Sequence, residues 1–156
     1  MCFPLKRDKE LTIELLPDAP KEIDCKVYPL LQAEQDQLRI FLVEEEEKGY
    51  IYKGSSPYMV PVFLISKKDL EEKWVIIYYH KLNKWVVYDN GPLHNIQTQL
   101  EKLIGKKIFT KFNICWGYKN HQMKFKDQPK AVFKMVFRTY MPWVVYFGLK
   151  NVPPFF

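Results

Sequence analysis

The sequence predicts an α+β domain. One stretch, Leu31 to Lys48, repeats its apolar residues at helical spacing, and a series of short apolar runs set between turn signals reads as strands. The two kinds of segment do not alternate as strand, helix, strand, so no parallel α/β sheet is expected. With 156 residues, 47% of them apolar, the chain has the size and the material for one core.

Leu11-Thr-Ile-Glu-Leu15 alternates like a half-buried strand, and Pro17, Pro20 and Pro29 then keep the chain extended as an arm. In the helix that follows, Leu31, Glu34, Leu38, Phe41 and Leu42 share a face, and Gly49 stops it after the acidic run Glu44 to Glu47. That run reads as a solvated helix face. Gly54-Ser-Ser-Pro57 is a turn; Met59 to Ile65 reads as a buried strand, Lys73 to Tyr79 as a second, and Lys67 to Glu72 as a basic hairpin tip between them. Asp89-Asn-Gly-Pro92 breaks the chain before a short amphipathic helix carrying Ile96, Leu100, Leu103 and Ile104, ended by Gly105. Lys107 to Phe112, His121 to Phe125 and Ala131 to Phe137 read as further strands, and the apolar Trp143 to Phe147 precedes a turn at Gly148.

Composition narrows the function classes. The net charge of +6, from 24 basic and 18 acidic residues, favours polyanionic partners. Cys2, Cys25 and Cys115 are odd in number and widely spaced, and His80, His94 and His121 stand apart from them, so neither a disulfide framework nor a metal-binding histidine or cysteine set is expected. The expected location is intracellular, cytoplasm or nucleus. The charged run Lys6 to Glu10 and the absence of a long apolar run predict no export leader and no membrane partner. No phosphate-binding glycine loop or nucleophile elbow is present in these residues.

Ordered words carry more. They are Ile13-Glu-Leu-Leu-Pro-Asp-Ala-Pro20, Val27-Tyr-Pro29, Lys48-Gly-Tyr-Ile51, Ser55-Ser-Pro57, Pro61-Val-Phe63, Lys67-Lys-Asp69, Tyr79-His-Lys-Leu-Asn83, Phe109-Thr-Lys-Phe112, Trp116-Gly-Tyr118 and Phe147-Gly-Leu-Lys-Asn151. In this order and spacing the chain, from Glu10 to Phe156, resembles the reverse transcriptase of gypsy-type long-terminal-repeat retrotransposons of the kind found in fungi. The resemblance implies part of a right-hand polymerase fold in a single unit over residues 1–156. Residues 10–88 and 122–148 would be fingers-like; 89–121 and 149–156 would begin the palm.

In that family the palm aspartates hold two magnesium ions, hard cations that need anionic oxygen ligands to stabilise both oxygens of a phosphoryl transfer. The resemblance puts the first of these aspartates at Asn113, whose amide offers an oxygen but no charge. The family's Tyr-x-Asp-Asp hairpin lies beyond the segment matched here. A triphosphate-binding arginine of the family is replaced by Val75 after Lys73-Trp74, and its Asp-Tyr-Arg word has become Tyr78-Tyr-His80. No polymerase chemistry and no cofactor are therefore expected of this chain, although intact members use magnesium.

Part of a nucleotide pocket survives in the resemblance. Tyr118 matches the aromatic residue beneath the nucleotide sugar, Phe147 a neighbour of the same pocket, and Lys67 and Lys68 the fingertip lysines that meet triphosphate or template. From burial alone Tyr118 and Phe147 read first as core aromatics, and the two lysines equally as a solvated turn. Lys81, Lys124 and Lys126 complete a candidate phosphate-contacting set, with a primer-template nucleic acid as the implied partner. A palm begun but not completed would also leave apolar surface exposed.

Overall fold

The computed structural model describes residue 4 and residues 10–66, 73–89 and 95–155. Its architecture is α+β, as predicted. Among these residues a mixed five-stranded sheet runs in the order β1, β5, β4, β2, β3, with β1 at Ile51–Lys53, β2 at Met59–Ser66, β3 at Lys73–Ile77, β4 at Val132–Lys134 and β5 at Thr139–Pro142. Three pairings are antiparallel; β2 and β4 are parallel, with Val60 opposite Phe133.

The longest helix, α1 (Gln32–Glu47), begins where Glu34 reaches back to accept the Leu31 N–H at 2.9 Å. Lys73 at the start of β3 donates to the same carboxylate at 2.7 Å, tying helix to sheet and holding the Glu34 carboxyl below its ordinary range. The buried stripe of α1 is Leu38, Leu42 and Glu45, at the spacing of one helix face. Gly49, at φ 71°, turns the chain from α1 into β1.

Strand β4 lies in the middle of the sheet, and Val132 and Phe133 are wholly buried there. The core around them draws on every region except one: Leu11, Ile13 and Ile23 from the arm, Leu38 and Leu42 from α1, Ile77, Tyr79 and Leu82, and Val144, Val145 and Leu149. Tyr79 is enclosed, and its hydroxyl donates to the Ala131 carbonyl at 3.3 Å; burial raises the phenol's pKa.

Several sequence expectations are corrected. Leu11 to Leu15 forms no ladder; instead the arm makes single bridges, Leu11 to Met123, Leu15 to Val86 and Ile23 to Tyr58, because its two ends pair with different segments and Pro17 and Pro20 interrupt pairing before Ile23. The strand expected over His121 to Phe125 is two isolated bridges followed by a 3-10 helix, Phe125–Ala131, and the strand expected over Ala131 to Phe137 is cut to β4. Pro129 sits inside that 3-10 helix, where it donates no hydrogen bond to a strand partner. A one-turn helix at His80–Asn83, here α2, lies at the end of the segment read as strand.

The largest difference is at residues 95–116, every one of which is exposed. Only Ile96–Glu101 is helical (α3), and the strand expected over Lys107 to Phe112 is irregular. Ile104, Ile108 and Phe112 are 78, 88 and 85% exposed. The apolar residues of this stretch therefore project from the body as an arm. A strand needs a partner to satisfy its backbone, and the sheet offers none at this place. The hairpin tip Lys67 to Glu72, with Lys67 and Lys68, and the Asn90 to His94 stretch lie outside the described residues. A fourth helix, α4, closes the described chain at Val152–Phe155.

Candidate functional site

The exposed arm rejoins the body at a sharp turn. Trp116 takes a left-handed backbone conformation (φ 54°), which is uncommon for a large side chain, and leads into a 3-10 turn at Gly117–Asn120. Tyr118 on this turn meets Phe147 edge to face, with 4.5 Å between ring centroids. Phe147 in turn is presented by Gly148, whose φ of 102° a side chain would strain; a Cβ there would also come within 3.3 Å of the Ile77 carbonyl. Tyr118, Phe147, Ile114 and Gly117 line a pocket of about 170 Å³. The two residues that the sequence could join only through a family resemblance are thus in contact.

The turn carrying Phe147 is fixed by side-chain amides. Asn83 donates to the Gly148 carbonyl at 2.7 Å and accepts the Lys150 N–H at 2.9 Å, while Asn151 donates to the Val87 carbonyl at 2.7 Å and accepts the Asp89 N–H at 3.1 Å. The Leu-Asn83 word and the Gly-Leu-Lys-Asn151 word are therefore two halves of one clasp. Beside it, Glu14, Tyr88, Asp89 and Asn151 border a cleft of about 350 Å³.

Behind the pocket lies a cluster that sequence reading missed. Glu45, expected in a solvated acidic face, is 3% exposed, and its Oε2 accepts from Lys119 Nζ at 2.6 Å and from the Tyr146 hydroxyl at 2.5 Å. The Lys119 ammonium also lies within 6 Å of the rings of Trp116, Tyr146, Phe41 and Tyr50. Burial pulls this lysine below its ordinary pKa while its bond to Glu45 opposes that shift; burial and the Glu45 charge both push the Tyr146 phenol up. One signal was available in the sequence: Glu45 falls on the same helical stripe as Leu38 and Leu42. Lys48 pairs with Glu44 at 3.0 Å and reaches the other oxygen of Glu45 at 3.8 Å, and Glu46 pairs with Lys53 at 3.5 Å.

A second surface is aromatic. Tyr28, Phe63, Tyr78 and His80 form a row with centroid spacings of 5.9, 5.7 and 5.6 Å, and Tyr28 and Tyr78 are open to solvent. Lys81 follows His80 in the chain, and it and Lys134 meet at Asp24, the first on its carbonyl at 3.2 Å and the second on its carboxylate at 3.1 Å. Lys134 holds the Asp24 carboxyl below its ordinary range. Lys124 and Lys126 are also exposed but sit elsewhere, on either side of Phe125, whose ring lies 5.9 Å from Trp143. Of the proposed phosphate contacts that lie among the described residues, Lys81 is therefore beside Asp24, and Lys124 and Lys126 flank Phe125.

Asn113 is exposed on the projecting arm. Among the described residues no three of His, Cys, Asp and Glu lie together in a way that could hold a metal ion. A neutral amide beside Lys111 is a poor donor set for a hard divalent cation, so the residues present here do not fit the family's magnesium pair. No described helix is long and apolar enough to cross a membrane.

This geometry agrees with that of known proteins. Prototype foamy virus protease-reverse transcriptase superposes on 89% of the chain with a TM-score of 0.78 at 19% identity. The fold is part of the right-hand polymerase fold of a reverse transcriptase. It also matches foamy viral protease-reverse transcriptase in complex with an RNA/DNA hybrid, over 96% of the chain and 20% of that chain, with a TM-score of 0.75 and 15% identity. In sequence, the retrovirus-related Pol polyprotein from transposon opus of Drosophila melanogaster is 27% identical over 147 residues, 92% of the chain. The relatives of this reverse transcriptase fold are retrotransposon and retroviral Pol polyproteins, and the chain spans only 15% of the opus polyprotein and 18% of the foamy virus chain. No family model matches the sequence.

Proposed function

We propose that the chain is the fingers and opening palm region of a gypsy-type, fungal-like retrotransposon reverse transcriptase, and that by itself it does not polymerise. Residues 10–88 and 122–148 act as fingers; 89–121 and 149–156 begin the palm. The single observation behind the loss of activity is Asn113, an uncharged amide on an exposed arm where the resemblance asks for a metal-binding carboxylate. A deficit of about 4 kcal/mol in transition-state stabilisation already slows a reaction roughly a thousandfold. An intracellular location, cytoplasm or nucleus, belongs to the same reading.

The row Tyr28, Phe63, Tyr78 and His80 favours a second reading, a non-catalytic nucleic-acid-binding module. The exposed rings of Tyr28 and Tyr78, held edge to face against Phe63, with Lys81 next to His80 in the chain, suit unpaired bases, every one of which offers a flat face. Phosphate contacts would come from Lys67, Lys68, Lys81, Lys124 and Lys126.

Both readings are tested by incubating the purified chain with a labelled primer-template duplex at two salt concentrations, with magnesium and deoxynucleotides present. Five lysine contacts predict an affinity about 500-fold lower in 200 mM than in 50 mM salt. Binding with that dependence and no extension is expected. Extension would overturn the inactivity; binding that ignores salt, or none, would remove the module. A separate expectation concerns the aromatic row: Tyr78→Ala should weaken binding of a single-stranded oligonucleotide about 5- to 150-fold, measured by fluorescence anisotropy. An unchanged affinity would dissociate the row from nucleic acid.

A further inference from the structure

We infer that Glu45 is the positioning residue of the Tyr118 and Phe147 pocket, holding Lys119 and Tyr146, the chain neighbours of the two pocket rings, on one carboxylate. The inference rests on the reading of that pocket as the place where a nucleotide sugar packs. It deepens that reading by assigning the spacing of the rings to a residue of α1.

The geometry supports this step by step. The segment entering the pocket from Gly117 and the segment leaving it through Phe147 run beside each other over a short antiparallel stretch. Gln122 bridges Val144, Met123 N–H donates to the Trp143 carbonyl at 2.8 Å, and Val145 N–H donates to the His121 carbonyl at 3.0 Å. Beyond that last bond the two backbones carry Tyr118 and Phe147, and there Glu45 Oε2 links the segments, receiving Lys119 Nζ at 2.6 Å and Tyr146 Oη at 2.5 Å. Because one oxygen receives both, moving either donor away from the other breaks a charge-assisted hydrogen bond in a buried place.

The lysine cannot easily shift alone. Its ammonium sits over the rings of Trp116 and Tyr146 at 4.5 and 5.0 Å, so a displacement would also disturb the left-handed turn at Trp116 that aims Tyr118. Glu45 for its part is carried by a sixteen-residue helix whose Leu38 and Leu42 are in the core. A rigid element therefore sets the coordinates of two turns.

The test uses the full chain with labelled Tyr and Phe rings, and reads the nuclear Overhauser contact between Tyr118 and Phe147 by NMR. In Glu45→Gln the contact is expected to be lost, while in Ile23→Ala, a core truncation by the N-terminal arm, it is expected to persist. Should Glu45→Gln fail to fold, the double variant Glu45→Leu with Lys119→Met removes both charges together, leaves none unpaired, and is expected to fold without the contact. A contact that survives in the folded Glu45 variants overturns the inference, and so does one lost equally in Ile23→Ala, which would mean general loosening. A parallel titration with dATP and ATP, which differ at the 2′-hydroxyl, separates the two claims. Wild type is expected to prefer dATP, and Glu45→Gln to lose that preference. A wild type that binds both alike, or neither, sinks the pocket reading while the ring contact still decides the role of Glu45.

Discussion

Replacing Lys119 with alanine is expected to destabilise the chain by about 3–5 kcal/mol, because it leaves the buried Glu45 carboxylate with Lys48, at the longer distance of 3.8 Å, as its nearest described cation. The side chains of the pair are only 10 and 4% exposed, so solvent cannot take over the missing interaction. Removing the two charges together, as Glu45→Leu with Lys119→Met, should cost far less, since no lone charge is left to desolvate. Urea unfolding of the three proteins measures this directly. A Lys119→Ala loss below about 1 kcal/mol, the range of exposed ion pairs, would mean that water reaches the cluster after all.

Phe133→Ala should have a comparable effect, about 3–5 kcal/mol, through the cavity it leaves. Phe133 is 0% exposed at the centre of the sheet, opposite Val60 on β2 and Tyr140 on β5, with the Tyr140 and Tyr146 rings 6.0 and 6.1 Å from its own. With neighbours held on both sides by backbone pairing, the site has little room to collapse. Phe112→Ala serves as the contrast: on the exposed arm the same truncation should fall within about 0.5 kcal/mol. Equal losses at the two positions in denaturant unfolding would contradict the placement of both.

Much of the fold was legible where local pattern and tertiary burial agree. Leu38 and Leu42 announced α1, and the apolar run from Met59 with its basic turn announced the antiparallel pair β2 and β3. Legibility failed at residues 96–112 for a definite reason: the spacing of Ile96, Leu100 and Ile104 records a capacity for burial, not the presence of something to bury against. It failed in another way at Glu45. A carboxylate inside an acidic run looks solvated until the fold delivers Lys119 and Tyr146 from distant parts of the chain. Tyr118 and Phe147 have no local signature that links them; word order suggested the link, and the turns at Trp116 and Gly148 bring the rings into contact. Helix α2 was missed because four residues, His80–Asn83, are too few for a period to register.

The parallel pairing of β2 with β4 also fixes a timetable. On the ribosome, β2 and β3 emerge and can form their hairpin early, but the strand that belongs on the other edge of β2 comes only with Val132–Lys134. At about 5–20 residues per second the nascent chain carries that open edge for several seconds. Its N–H and C=O groups are then free to pair with any extended segment nearby. The molecule therefore completes its sheet late, when β4 slots between the early β2 and β3 hairpin and β5, and its yield in a cell depends on what shields one strand edge during that interval.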